Sequence, residues 1–91
     1  SSGKIMTDLF KELEKDPEFS SGSIENIFKN FITEREIGMG VVLPCMRLIL
    51  TGKGMGPSVF AIASLLGKQE VMKRFNEKNS FFVNLYLKNN N

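Results

Sequence analysis

The strongest constraint on the fold is an apolar stripe in the first half of the chain, formed by Ile24, Ile27, Phe28, Phe31 and Ile32. Residues at i, i+3, i+4, i+7 and i+8 share one face of an α-helix, so they can enter one core only if the segment is helical. The serines at positions 20–23 precede the stripe and supply N-cap chemistry. The pattern predicts an amphipathic helix and a domain built by packing helices.

A second stripe predicts a helix from about residue 4 to residue 15, with Ile5, Met6, Leu9, Phe10 and Leu13 on its apolar face. Asp16-Pro17 should end it, because the residue before a proline is pushed out of the helical region.

The apolar run 41–51 predicts a third, largely buried helix that starts near Leu43 and ends at Gly52. The start is placed there because Pro44 fits only the first turn of a helix. Cys45 in this run is expected to be a small buried hydrophobe, since a thiol among apolar residues is seldom a nucleophile.

The glycine-rich loop 53–56 leads to Pro57, which is preorganised for the first position of a fourth helix. Gly67 is expected to supply the left-handed residue that ends this helix. A fifth helix should run from about residue 68 to residue 78.

The segment 80–87 is too apolar to be left in water, so Phe82 and Tyr86 are expected to pack on the domain. Ser80 can cap a last helix, but the run can also form a strand. The asparagine tail 88–91 is expected to be frayed.

The length of 91 residues fits a single domain, 1–91, in which residues 1–3 are expected to be an expression remnant. No uninterrupted apolar stretch of about 18 residues exists, so no membrane span is expected and the location should be cytoplasmic. The chain has one cysteine and no histidine, which excludes an internal disulfide, Cys/His zinc sites and catalysis by an imidazole base.

Charge is unevenly distributed along the chain. Residues 1–36 carry five basic and eight acidic side chains, whereas residues 37–91 carry seven basic and two acidic ones. Such asymmetry is typical of a protein with a polyanionic partner, although a solvated basic surface gives the same pattern.

Four short motifs occur in a fixed order between Met46 and Glu70, at positions 46–52 (MRLILTG), 56–57 (GP), 59–60 (VF) and 65–70 (LLGKQE). In this order and spacing they resemble the C-terminal region of bacterial glutamyl-tRNA synthetases, over roughly residues 20–78. The resemblance implies an all-α fold of about five or six short helices, the multihelical anticodon-binding domain of class I aminoacyl-tRNA synthetases. It also implies tRNA-Glu as the partner of a monomeric, metal-free fragment.

The same resemblance implies that this chain catalyses nothing. Family members charge tRNA in an N-terminal dinucleotide-fold domain with HIGH-like and KMSKS-like motifs, and neither motif is present here. ATP and magnesium would therefore belong to the parent enzyme, and no cofactor is expected in the fragment. A small helical protein-interaction module that docks through segment 80–87 is the alternative.

By resemblance, the residues that read the anticodon bases are Arg47, Gly56, Pro57 and Val59. Unpaired bases are read along their edges and stacked on guanidinium or apolar surfaces, which suits such a set. Some family members have a threonine where this chain has Gly56, so any hydroxyl contact must be replaced by the backbone. The candidate phosphate contacts are Lys53, Lys68, Lys73 and Arg74, and for the last three a solvated helical face is the simpler interpretation.

Arg47 is the only charged residue between Val41 and Gly52, and no carboxylate occurs from Ile37 to Gln69. A buried guanidinium needs a partner, so Arg47 is expected at the surface beside the loop 53–57, outside any buried ion pair.

Overall fold

A computed structural model describes the backbone of residues 2–53 and 55–89 and the side chains of residues 3–53 and 55–78. Five helices follow one another along the chain: α1 Ser2–Glu14, α2 Ser21–Glu34, α3 Met39–Thr51, α4 Val59–Leu66 and α5 Lys68–Asn89. No strand occurs in these ranges. The predicted all-α fold is confirmed, although α5, with 22 residues, is not short.

The turn between α1 and α2 is fixed by side chains. Ser20 caps α2 by accepting a hydrogen bond from the Ser23 N–H, and the Ser23 hydroxyl accepts one from the Ser20 N–H. The Ser23 hydroxyl also donates to the buried carboxylate of Asp16 across 2.6 Å. The serine cluster therefore acts as the predicted cap, and α1 ends near the predicted Asp16-Pro17 step.

The predicted start of α3 was wrong, because the helix begins at Met39 and contains Pro44 beyond its first turn. Pro44 has no N–H to donate to the carbonyl of Gly40, four residues earlier. Gly40 is exposed, so water can hydrate that carbonyl. The lost bond is thus less costly than it would be in the buried part of the helix.

Both ends of α4 also differ in detail from prediction. Ser58, not Pro57, stands directly before α4 and accepts a hydrogen bond from the Ala61 N–H, so Pro57 belongs to the loop. Gly67 ends α4 with a positive φ of 85°, but its ψ of 157° lies outside the left-handed helical region that the sequence predicted.

The segment 80–89 continues α5 without a break, so Ser80 does not cap a separate helix and the strand alternative is wrong. Lys88 and Asn89 are helical, whereas Asn90 and Asn91 fall outside the described ranges. The expected packing of Phe82 and Tyr86 concerns side chains that the described part of the chain does not include.

The core lies where α1 and α2 meet α4 and α5. Phe10 stacks on Phe75, and Phe28 packs at a tilt against Phe60. On α3, Met46 and Leu50 are fully buried in this core, which leaves Arg47 at its edge. None of the described helices combines the length and apolarity that a membrane span requires.

Candidate functional site

Arg47 lies in the second half of α3 and turns its guanidinium toward the loop before α4. Its Nη2 donates to the carbonyl oxygen of Gly56 across 3.2 Å. Its Nη1 is buried and has no hydrogen-bond partner among the described residues. Arg47 is therefore beside the loop as expected, but it is half-buried and not fully at the surface.

The end of α3 is arranged so that the loop turns back toward Arg47. Gly52 adopts the left-handed conformation, with φ 73° and ψ 7°, and donates its N–H to the Leu48 carbonyl. The Thr51 hydroxyl donates to the Arg47 carbonyl across 2.8 Å and accepts from the Lys53 N–H across 3.0 Å. The Gly52 bond satisfies the Leu48 carbonyl, one of the four that a helix end leaves without donors, and the Thr51 bonds tie the loop to the last turn of α3.

Gly56 approaches Arg47 in a conformation that only glycine adopts readily. Its φ is 145°, and a Cβ built on it would lie 3.8 Å from Nη1 of Arg47. That distance is ordinary contact, so the constraint on this position is the backbone angle and not a lack of space. A threonine at position 56 would therefore need a different loop conformation.

A cavity of about 300 Å³ opens between the end of α3, the loop and α5. It is lined by five of the eight residues that the sequence singles out, namely Arg47, Lys53, Gly56, Pro57 and Arg74. The structure thus brings residues separated by up to 27 positions into one basic pocket.

The other three candidates lie elsewhere. Val59, at the start of α4, is 1% exposed as a whole residue and packs in the core, so neither its side chain nor its backbone is open to a ligand in this structure. Lys68 and Lys73 line a different, open groove together with Glu14 and Glu77. The Lys68 ammonium also lies 5.8 Å from the centroid of the Phe19 ring.

Arg74 connects α5 to the end of α3. Its Nε donates to the Glu70 carboxylate across 2.8 Å, and its Nη1 donates to the Leu50 carbonyl oxygen across 2.6 Å. The hydrogen bond from Arg74 holds the pKa of Glu70 below its ordinary value. The i,i+4 spacing of Glu70 and Arg74 is visible in the sequence. The bond to Leu50 is not, because it joins residues 24 positions apart.

Within the described ranges, no group of three or more His, Cys, Asp or Glu side chains is placed to hold a metal ion. Cys45 is a free, half-buried thiol, somewhat less buried than expected.

The helical bundle carries a basic pocket and a guanidinium N–H that has no acceptor among the described residues. Small domains of this class are suited to contact unpaired nucleic-acid bases. The chain belongs to the anticodon binding domain family, whose model matches residues 1–78.

Curated relatives of the chain share one activity in their names. The chain is 41% identical over 70 residues to a glutamate–tRNA ligase of Flavobacterium johnsoniae, covering 77% of this chain and 14% of that protein. It is 42% identical over 71 residues to the glutamate–tRNA ligase of Flavobacterium psychrophilum, covering 78% and 14%. A glutamate–tRNA ligase 2 of Rickettsia massiliae is 30% identical over 70 residues, covering 77% and 14%. The chain thus spans about 14% of the length of these relatives. No solved structure gives a significant match.

Proposed function

We propose that this chain is the anticodon-recognising part of a glutamate–tRNA ligase and binds the anticodon of tRNA-Glu as a monomeric unit. Its membership of the anticodon binding domain family and its similarity to three glutamate–tRNA ligases support the proposal. The parent protein would be cytoplasmic. Its remaining part would use ATP and magnesium to attach glutamate, while this chain positions the tRNA.

The observation that carries the proposal is the buried Nη1 of Arg47, which has no acceptor among the residues that the structure describes. A buried guanidinium N–H without an acceptor is costly, and a ligand that supplies an acceptor would remove this cost. The edges of nucleobases offer acceptors, and the planar fork of arginine can bond to such an edge or stack on a base face.

The other pocket residues complete this arrangement. Gly56 and Pro57 line the pocket together with Arg47, and the exposed Pro57 ring offers an apolar surface on which a base can stack. Val59 is almost fully buried, so its backbone N–H at the start of α4 would reach an acceptor on the RNA only after the loop moves. Since Nη1 is covered in the free protein, we expect the loop around Gly56 to shift when a base enters.

The phosphate backbone of the same RNA requires cations near the pocket. Lys53 lies at the rim and is exposed, which makes it the first candidate. Lys68 and Lys73 lie in the separate groove, so they would contact phosphates only if the RNA extends along α5. Arg74 lines the pocket, although two of its nitrogens already bond within the protein.

An NMR titration with a tRNA-Glu anticodon stem-loop tests the proposal. A stem-loop of identical length and charge with the anticodon bases replaced is the matched control. We expect shifts at the Gly56 amide and the Arg47 Nε–H with the first RNA only, and affinity that falls steeply as salt rises. Equal binding of both RNAs would reject anticodon reading. Absence of binding, or binding that is insensitive to salt, would reject the RNA function altogether.

A further inference from the structure

We infer that Arg74 is a positioning residue, which fixes the last turn of α3 and thereby holds Arg47 in place for the RNA base. The inference rests on the proposed function, because it specifies how the same pocket is organised. It differs from the sequence-based expectation that Arg74 contacts phosphate directly.

The first support is the bond from Arg74 to the Leu50 carbonyl oxygen, at 2.6 Å. Leu50 is the penultimate residue of α3, and its carbonyl is one of the four that the helix cannot satisfy. A bond from another helix to this carbonyl anchors the last turn in a way that the local Gly52 and Thr51 bonds do not. Arg47 lies three residues earlier, almost one turn away on the same side of α3.

The second support is the orientation of the Arg74 guanidinium. Glu70, one turn earlier on α5, accepts from Nε across 2.8 Å. This bond fixes the plane of the fork and points Nη1 at Leu50. Nε and Nη1 lie on different edges of the guanidinium, and both are bonded within the protein. Such double bonding is typical of a residue that orients its neighbours.

The third support is electrostatic. A phosphate that bound Arg74 directly would meet the Glu70 carboxylate beside it, since only 2.8 Å separates that carboxylate from Nε. The phosphate and the carboxylate are both negative, so they would repel each other when bound to one guanidinium. Arg74 is therefore better suited to neutralise Glu70 beside the basic pocket than to bind a second anion.

A double-mutant cycle with the tRNA-Glu anticodon stem-loop tests whether Arg74 acts through Arg47. We expect Arg74→Ala to lower affinity by about fivefold to tenfold in the natural protein, in the range of coupling between neighbouring side chains. In an Arg47→Ala background the same substitution should cause almost no further loss. Lys73→Ala, the matched control, removes the same charge one residue earlier and should leave the Arg47 contribution intact.

Two more measurements separate positioning from direct phosphate contact. Arg74→Lys keeps the charge but cannot bond to Glu70 and Leu50 with the same rigid fork, so we expect it to lose about as much affinity as Arg74→Ala. For Arg74→Ala, the slope of log affinity against log salt concentration should equal that of the natural protein. Rescue by lysine, or a slope about 0.7 smaller in Arg74→Ala, would overturn the inference in favour of a phosphate contact.

The free protein gives a readout that does not need RNA. The Arg47 Nε–H signal should move in Arg74→Lys and stay in place in Lys73→Ala, and thermal unfolding should show that both variants are folded. If the natural protein does not bind the stem-loop while this signal moves, the proposed function fails and the Arg74–Arg47 linkage remains. An unmoved signal, or additive losses in the cycle, would overturn the linkage itself.

Discussion

Phe10 and Phe75 stack with their ring centroids 4.5 Å apart and their planes 12° from parallel. This contact joins the first helix to the last, across 65 positions of sequence. Both rings are at least nine-tenths buried. This pair therefore packs the first helix against the last, and Phe75 directly follows Arg74 on α5.

Replacing Phe75 with Ala should destabilise the domain severely. The substitution removes a buried ring and leaves a cavity against Phe10, which costs about 3 to 5 kcal/mol. Urea unfolding followed by circular dichroism measures the change. Leu65→Ala is the matched control, because Leu65 is 88% exposed and its loss should change stability by less than about 0.5 kcal/mol. Equal effects of the two substitutions would contradict the described core.

Arg47→Ala should weaken binding to the tRNA-Glu anticodon stem-loop by about 1 to 3 kcal/mol, the range for one good base contact. The fold should change little, because the loss of the Gly56 bond, about 1 kcal/mol, is offset by removal of a buried N–H that has no acceptor in the described part of the chain. Calorimetric titration and thermal unfolding measure the two quantities. If Arg47→Ala unfolds the domain, and RNA leaves the spectra of the natural protein unchanged, Arg47 has only a structural role.

Gly56→Ala should destabilise the loop through its backbone angle. A residue with a Cβ at φ 145° is strained by about 1 to 3 kcal/mol, so the loop is expected to change conformation and withdraw its carbonyl from Arg47. RNA affinity should fall together with stability. Gly40→Ala is the control, since Gly40 lies in the first turn of α3 with open space around it, and alanine there should change stability by less than about 0.5 kcal/mol. A neutral Gly56→Ala would refute the described loop.

Asp16→Asn should remove a pH-dependent part of the stability. Burial opposes ionisation of Asp16, but hydrogen bonds from Ser23 and from the Glu18 and Phe19 N–H groups outweigh it and hold its pKa below the ordinary 3.8. Because the folded pKa is the lower one, ionisation stabilises the fold above pH 3.8, and this contribution disappears as the pH falls through the folded pKa.

The Asp16→Asn variant should accordingly be less stable than the natural protein at pH 7, and the difference should vanish in strong acid. Urea unfolding at a series of pH values measures it. Glu14→Gln removes the same charge from an exposed position on α1 and serves as the control. A difference that persists unchanged into acid would mean that Asp16 acts through its shape and not through its charge.

The helices were predictable where their apolar periodicity is complete, as in α1 and α2. The start of α3 was not, because the rule that restricts Pro44 to a first turn ignores that the unpaired Gly40 carbonyl can face water. The length of α5 was missed because Ser80 resembles a cap, although nothing there stops the helix.

The pocket was predictable only in part. The resemblance pointed to Arg47, Gly56 and Pro57, which the fold brings together, but also to Val59, whose side chain faces the core. The link from Arg74 to Leu50 could not be predicted, since it depends on how α5 crosses the end of α3. Periodicity describes one helix at a time and carries no information on such crossings.

The Gly56 carbonyl holds Arg47 without cancelling its charge. A carbonyl is a dipole, so at a distance the arginine still acts as a full positive charge, whereas a carboxylate would have reduced the pair to zero. The electrostatic potential around this side of the domain is therefore more positive than the net charge of the whole chain, +2, suggests. Diffusional encounter with a polyanion should then be faster than for an uncharged surface, and salt should slow association more than it speeds dissociation.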